Sequence, residues 1–274
     1  MTIYTDIKNL KIQGAENIAI KSLEYLLEFS KTHGFKREFK RECKKLLKVR
    51  PTAVVLKNVL DLVMQNPNEI AIKRLHEKLN LVKFRIFENF IREIPNNSII
   101  MTHCHSSDFT RSLIYARKAL KYNFKVYVTE TRPKYQGIIT AKELSRVGIK
   151  VKFIVDSAAK FYMNDVDMFM VGTDAMRREG FVNKIGTGLM ALSALDEKKP
   201  IYVVGSLFKL DRRKKLKIEM RPKSEVIKTN KFEVLNPAFE LTPWKYVYKI
   251  ISDMGIFTPD EIVERLNRNF PIII

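Results

Sequence analysis

The apolar residues of this chain change their spacing at Pro95-Asn96-Asn97-Ser98, and that change limits what each side can fold into. From about residue 12 to 95 they recur in steps of three and four. Ile18, Ile20, Leu23, Leu26 and Leu27 form one stripe, and Val54, Val55, Val59, Leu62 and Val63 a second. A third runs through Ile72, Leu75, Leu79, Val82, Ile86 and Phe90. Such spacing predicts amphipathic helices, with no strand pattern between them. Past the turn, short apolar runs alternate with amphipathic stretches: Ile99 to Met101, Val126 to Val128, Val151 to Val155, Met168 to Val171 and Ile201 to Val204. Strands buried on both faces carry runs of this kind, and the gaps between them suit right-handed βαβ units. The fold class predicted is α/β: an N-terminal helical domain over residues 1–95, then a Rossmann-like, doubly wound, mainly parallel sheet over 96–274. Two helices, near 243–254 and 259–268, are expected to cover a sheet edge, with Thr258 capping the second.

Composition narrows the class. The 274 residues are 46% apolar and 29% charged, which supports real cores and excludes a disordered or collagen-like chain. Cys43 and Cys104 are the two cysteines, so no disulfide framework exists and a reducing, cytoplasmic setting is expected. No run approaches the roughly 18 apolar residues of a membrane span, and Met1 to Leu10 lacks a signal-peptide core, so no membrane partner is expected. Fifty Lys and Arg stand against 30 Asp and Glu, a formal charge of +20. The excess concentrates in two runs. Phe35 to Arg50 reads as a helix with a basic outer face, and Asp211 to Lys223 as a surface loop or short edge strand. Neither interleaves aromatic residues as a single-strand stacking platform does, so RNA binding is the weakest reading.

In an open α/β sheet, ligands bind beyond the carboxyl ends of the strands. Those ends are polar here: Thr102-His103-Cys104-His105-Ser106-Ser107-Asp108, Thr129-Glu130-Thr131-Arg132-Pro133, Asp156-Ser157, Gly172-Thr173-Asp174, and Gly205-Ser206 with Lys209 beyond. Cys104 is expected to open a helix, whose amides and dipole would favour its thiolate. A cysteine in such a turn is commonly an inert small hydrophobe, but His103 and His105 flank this one. A metal site lacks a second nearby cysteine, and hydrolase chemistry lacks a nucleophile elbow. Asp174 either caps a turn or lies desolvated at the bottom of a cleft, where burial would raise its pKa into the range of proton transfer. Asn183-Lys184-Ile185-Gly186-Thr187 joins amide donors, an ammonium and a glycine at an expected helix start, which suits phosphate, and Arg50, Arg132 and Lys209 add charge.

Taken together these segments resemble the superfamily of sugar-phosphate isomerases related to the regulatory subunits of translation initiation factor two-B. The resemblance is carried by Arg50-Pro51-Thr52-Ala53-Val54, Met101-Thr102-His103-Cys104-His105-Ser106, Thr129-Glu130-Thr131-Arg132-Pro133-Lys134-Tyr135-Gln136-Gly137, Asp156-Ser157-Ala158-Ala159, Asn183-Lys184-Ile185-Gly186-Thr187 and Asn236-Pro237-Ala238-Phe239. It covers most of the chain and is greatest with archaeal ribose-1,5-bisphosphate isomerases, methylthioribose-1-phosphate isomerases being near cousins. It implies that Cys104 and Asp174 share proton transfer, with Asp174 donating to the ring oxygen and the Cys104 thiolate taking the C2 proton, or alternatively that a hydride moves within the sugar. No metal or redox cofactor is required. It places Gly14, Ala15, Arg50, Ser106, Ser107, Asn183, Lys184 and Lys209 at substrate-binding positions, beside Arg132. It also implies a homo-oligomer, a dimer or higher, and leaves room for a nucleotide regulator.

The chain departs from the family at Gln13-Gly14-Ala15-Glu16, where an Arg-Gly-Ala-Gly phosphate loop is usual. A cation is lost and a carboxylate gained. The stretch from Asp174 to Asn183 is a residue shorter than usual, and the helical domain is trimmed. The second hypothesis is therefore a noncatalytic regulatory subunit of the initiation-factor type, acting through protein contacts.

Overall fold

Five helices follow the N-terminal periodicity: α1 (Ile3–Lys8), α2 (Ala15–His33), α3 (Arg37–Val49), α4 (Val54–Gln65) and α5 (Glu69–Glu93). The computed structural model describes residues 2–9, 11–12 and 14–268. Gln13, first residue of the altered loop, lies outside the described residues, as do Met1 and Leu10. Two compact units divide the chain: Met1–Lys83 with Phe208–Leu210, and Phe84–Leu207 with Asp211–Ile274.

In the first unit the stripe positions are the core. Ile18, Leu23, Leu26, Val55, Val59 and Val63 are buried. On α3, Phe39, Cys43 and Leu46 turn inward while Arg37, Lys40, Arg41, Lys44 and Lys45 stay exposed, as their spacing predicts. Glu42 is the one charged residue on the inner face. Its carboxylate accepts from the hydroxyls of Tyr4 and Tyr25 and pairs with Lys45 at 2.8 Å, which supplies the partners a buried charge needs. The Asn58 side-chain amide donates to the carbonyls of Phe208 and Leu210, both at 2.8 Å, and so holds that segment in the unit.

The second unit holds a sheet of seven strands. They are β1 (Ile99–Thr102), β2 (Lys125–Thr129), β3 (Lys150–Ile154), β4 (Met168–Gly172), β7 (Ile201–Val204), β9 (Lys249–Ser252) and β10 (Gly255–Phe257), in the spatial order β10-β9-β7-β4-β1-β2-β3. All neighbours are parallel except β9 and β10. Helices α6 (Ser107–Leu120), α7 (Gln136–Arg146), α8 (Ala159–Met163) and α9 (Thr187–Asp196) connect strands. The central strands are buried almost throughout, which is why their sequences read as continuous apolar runs.

Three features differ from expectation. The run at Val151 to Val155 is not buried on both faces, because β3 lies at the sheet edge with Lys152, Phe153 and Val155 exposed. A second, antiparallel sheet of β5 (Ala175–Met176), β6 (Gly180–Lys184) and β8 (Phe239–Pro243) was not predicted. The helix expected near 243–254 is instead the end of β8, a single 3-10 turn at Trp244–Tyr246, then β9. Its apolar residues fit a helical period, but Ile250 and Ile251 are buried between β7 and β10, and tertiary burial outweighs so short a pattern. The last helix, α10 (Pro259–Asn267), does form, with Thr258 and Glu261 in a reciprocal capping box.

One buried ion pair secures the basic segment after residue 210. Arg177, 2% exposed, pairs with Asp211 at 2.9 Å and donates to the carbonyl of Arg213. Burial works to raise the Asp211 carboxyl, yet hydrogen bonds from Arg213 and Arg177 hold it below the ordinary carboxylate range. A group depressed on folding stabilises above its unfolded pKa and loses that contribution as the pH falls through the folded one. Asp211→Asn is therefore expected to lower stability by about 2–4 kcal/mol at pH 7, with the gap narrowing below about pH 4; urea midpoints across that range read it. Gly137 meets a steric limit of another kind. A Cβ there would stand 1.8 Å from the Thr129 carbonyl oxygen, so Gly137→Ala is expected to cost about 2–3 kcal/mol by thermal denaturation, and an unchanged melting point would contradict that packing.

Candidate active site

Strands β1 and β4 lie side by side, and the chain winds outward from them in both directions. That pair is the topological switch point, where an open α/β sheet leaves a crevice outside the strand ends. Cys104 follows the end of β1 by two residues and Asp174 the end of β4 by two. Both act electrostatically on one neighbourhood: burial pushes the Cys104 thiol up to about 12, the Lys184 ammonium opposes the rise, and the charges of Asp174 and Asp156 add to it. The second unit thus brings together Cys104, Asp174 and Lys184.

Two expectations about this pair are corrected. Cys104 does not open a helix, since α6 begins at Ser107 with Ser106 as its cap, and desolvation of the sulfur outweighs any dipole. Asp174 is exposed and not desolvated, because it stands at the open corner between β4 and β5, where its amide donates to the Val182 carbonyl at 2.8 Å.

The residues around the thiol are held closely. Cys104 has a left-handed backbone, φ 69°, as do Thr131 at 63° and Tyr135 at 54°. The ring of His103 is buried between Thr129 and the turn after β6. Its Nε2 lies 2.9 Å from the Ile185 carbonyl, which can only accept, so Nε2 carries the proton and Nδ1 accepts from the Thr129 hydroxyl at 2.7 Å. Burial keeps this imidazole, and that of His105, below the ordinary histidine range and so uncharged at neutral pH. Gly186 sits against the same ring: a Cβ there would come within 3.2 Å of Nε2.

The other second-unit candidates surround this centre. Ser106 packs on Gly172, where a Cβ would meet its hydroxyl at 2.3 Å, and Ser107 is the first residue of α6. Asn183 and Lys184 lie on β6, not at a helix start, and both are buried. The Asn183 amide donates to the Thr187 hydroxyl at 3.1 Å, and the Lys184 ammonium rests 4.7 Å over the Phe239 ring. The Arg132 guanidinium donates to the Tyr135 hydroxyl at 2.6 Å and to the Val226 carbonyl at 3.2 Å. Gly14, Ala15, Arg50 and Lys209 belong to the first unit. There Gly14, φ 85°, caps α2, Ala15 begins it, Arg50 ends α3, and Lys209 faces Glu16 at 3.4 Å.

Sequence reasoning passed over two carboxylates. Asp156 accepts from the amides of Thr131 and Arg132 at 2.8 and 2.7 Å. Glu240 on β8 accepts from the Gly188 amide at 2.9 Å, so a carboxylate of the chain itself occupies the start of α9. A strand-end aspartate was visible at 156; that two successive amides face it depends on the loop.

Known proteins resemble this chain over most of its length. Ribose 1,5-bisphosphate isomerase of Thermococcus kodakarensis is 36% identical over 306 residues, covering 98% of this chain and 94% of that protein. The solved structure of translation initiation factor eIF-2B from Pyrococcus horikoshii superposes with a TM-score of 0.83 at 26% identity, over 95% of this chain and 97% of that one. That of 5-methylthioribose 1-phosphate isomerase from the same organism gives 0.78 at 27% identity, over 97% and 87%. The sequence pattern of the initiation factor 2 subunit family matches residues 11–259, and the chain belongs to that family.

Proposed function

We propose that the chain is a sugar-phosphate aldose-ketose isomerase converting ribose 1,5-bisphosphate to ribulose 1,5-bisphosphate, with Cys104 and Asp174 sharing the proton transfers. The observation that carries this reading is a thiol, a carboxyl and an ammonium brought together at the switch point of the sheet. Similarity to a protein named for that reaction supports the substrate class. Ser106, Ser107, Asn183, Lys184 and Arg132 are the proposed substrate contacts of the second unit. Gly14, Ala15, Arg50 and Lys209 keep the phosphate-binding roles that the resemblance gives them in the first.

An aldose 1-phosphate carries its phosphate on the anomeric oxygen, so ring opening needs a proton on the ring oxygen as the bond from C1 to that oxygen breaks. Removal of the C2 proton gives an enediol-type intermediate. C1 then takes up a proton, the C2 hydroxyl gives one up, and the 1-phosphoketose results. Cys104 and Asp174 share these transfers, one supplying the ring-oxygen proton and the other receiving the proton from C2; burial, which pushes the thiol up, disfavours its thiolate in the free protein.

A noncatalytic regulatory subunit is the second reading, favoured by the close superposition on an initiation factor. A homo-oligomer suits either. Leu189, Leu192 and Leu195 recur on the exposed side of α9, an apolar stripe that a second copy would take out of water.

Purified protein supplied with ribose 1,5-bisphosphate is expected to form ribulose 1,5-bisphosphate, with kcat reduced about 10^2- to 10^4-fold by Cys104→Ser and by Asp174→Asn. Turnover untouched by both changes removes their roles, and a parent protein that is inactive but binds an initiation factor is a regulatory subunit. The pH profile separates the two roles of the buried thiol: kcat/KM flat from pH 7 to 9 makes it the proton donor, and a rise of about tenfold per pH unit makes its thiolate the base. Leu189→Asp is expected to shift the protein toward monomer in light scattering.

A further inference from the structure

We propose that Thr131 and Asp156 are positioning residues that hold Cys104 in its left-handed backbone and so fix where its sulfur stands, an inference that rests on the catalytic role proposed for Cys104. A residue with a Cβ, asparagine and aspartate aside, is disfavoured in that basin, and Cys104 has no short polar group to offset the crowding. Its neighbours impose the conformation. The Cys104 amide donates to the Thr131 hydroxyl oxygen at 3.0 Å, and its carbonyl accepts from the Thr140 hydroxyl at 3.4 Å. The Thr131 hydroxyl in turn donates to the Thr129 carbonyl at 3.3 Å, which turns its lone pairs toward Cys104.

Thr131 is itself left-handed at φ 63°, which is unusual for a β-branched residue. What holds it there is Asp156, whose two carboxylate oxygens accept from the Thr131 amide at 2.8 Å and the Arg132 amide at 2.7 Å. Hydrogen bonds to an ionised acceptor are the strong kind. Asp156 follows β3, Thr131 follows β2 and Cys104 follows β1, and these three strands are neighbours in the sheet. Each strand end is thus fastened to the next, and the last link is the thiol-bearing residue. Two strained residues in adjacent loops, joined by one chain of hydrogen bonds, persist only because the surroundings over-determine them.

Thr131→Val removes the acceptor oxygen without altering charge or shape, and Thr131→Ser restores it. For Thr131→Val we expect kcat to fall about 10- to 100-fold with KM for ribose 1,5-bisphosphate within about twofold, because a small misplacement of a reacting group acts on the chemical step. Iodoacetamide should alkylate Cys104 several-fold faster, since a loosened loop uncovers the sulfur; Cys43, fully buried, does not compete. Thr131→Ser should behave like the parent. Should Thr131→Val not fold, Thr131→Ala removes the same oxygen and carries the same test; Asp156→Asn also removes a charge that raises the thiol, so it is read by kcat and KM and not by alkylation. An unchanged alkylation rate, or a rise in KM at undiminished kcat, overturns the positioning role. Faster alkylation with full kcat leaves the relay standing and overturns the catalytic role of Cys104 instead.

Discussion

The buried ring of His103 joins three parts of the chain that nothing in the sequence makes neighbours. It follows β1, takes the Thr129 hydroxyl on one nitrogen, and gives its other proton to the Ile185 carbonyl in the turn that leads from β6 to α9. A neutral imidazole is the side chain that can accept on one side and donate on the other in a dry site. Burial, by disfavouring the charged form, fixes that state. The residue next in sequence carries the thiol and the residue before Ile185 carries the ammonium, so the ring ties together the two segments that bear them. The absence of a side chain on Gly186 lets the turn approach the ring closely enough for this bond to form.

Charge within the cluster is arranged in opposition. Desolvation and two carboxylates raise the thiol, while one ammonium lowers it, and desolvation dominates. A site so balanced keeps the sulfur protonated until something else is added. A phosphate beside Lys184 would cancel much of the one favourable field and raise the thiol further.

The central parallel strands were legible because burial on both faces removes the need for polar residues, and Met168 to Val171 or Ile201 to Val204 can be little else once the spacing between runs is noticed; β3, at the edge, was found by spacing although Lys152 and Phe153 are exposed. The helical unit was legible for the complementary reason: half its surface is wet, and period carries the signal. The β5-β6-β8 sheet was not. Its strands are short, Gly180 packs against the Thr242 carbonyl, and Pro243 ends an edge, so no run of apolar residues announces it. At the site, residue types could be read and environments could not. Cys104 and Asp174 stood at strand ends, but the exposure of Asp174 and the partial burial of Cys104 follow from loop geometry, as does the pairing of Asp156 with two backbone amides.

On the proposed function, the altered sequence at 13–16 leaves phosphate binding to cations that differ in what already surrounds them. Lys209 stands 3.4 Å from Glu16, with side chains 6% and 15% exposed, so its charge is largely matched before any ligand arrives. At comparable distances the attraction of a phosphate to that ammonium and its repulsion from that carboxylate nearly cancel, and low dielectric strengthens both alike. Lys184 differs. Its ammonium is buried against the face of Phe239, a partner that stabilises a cation without neutralising it, and its field still reaches the thiol. A buried cation of that kind gains most from an added anion, because Coulomb attraction there is little screened and the desolvation has already occurred on folding.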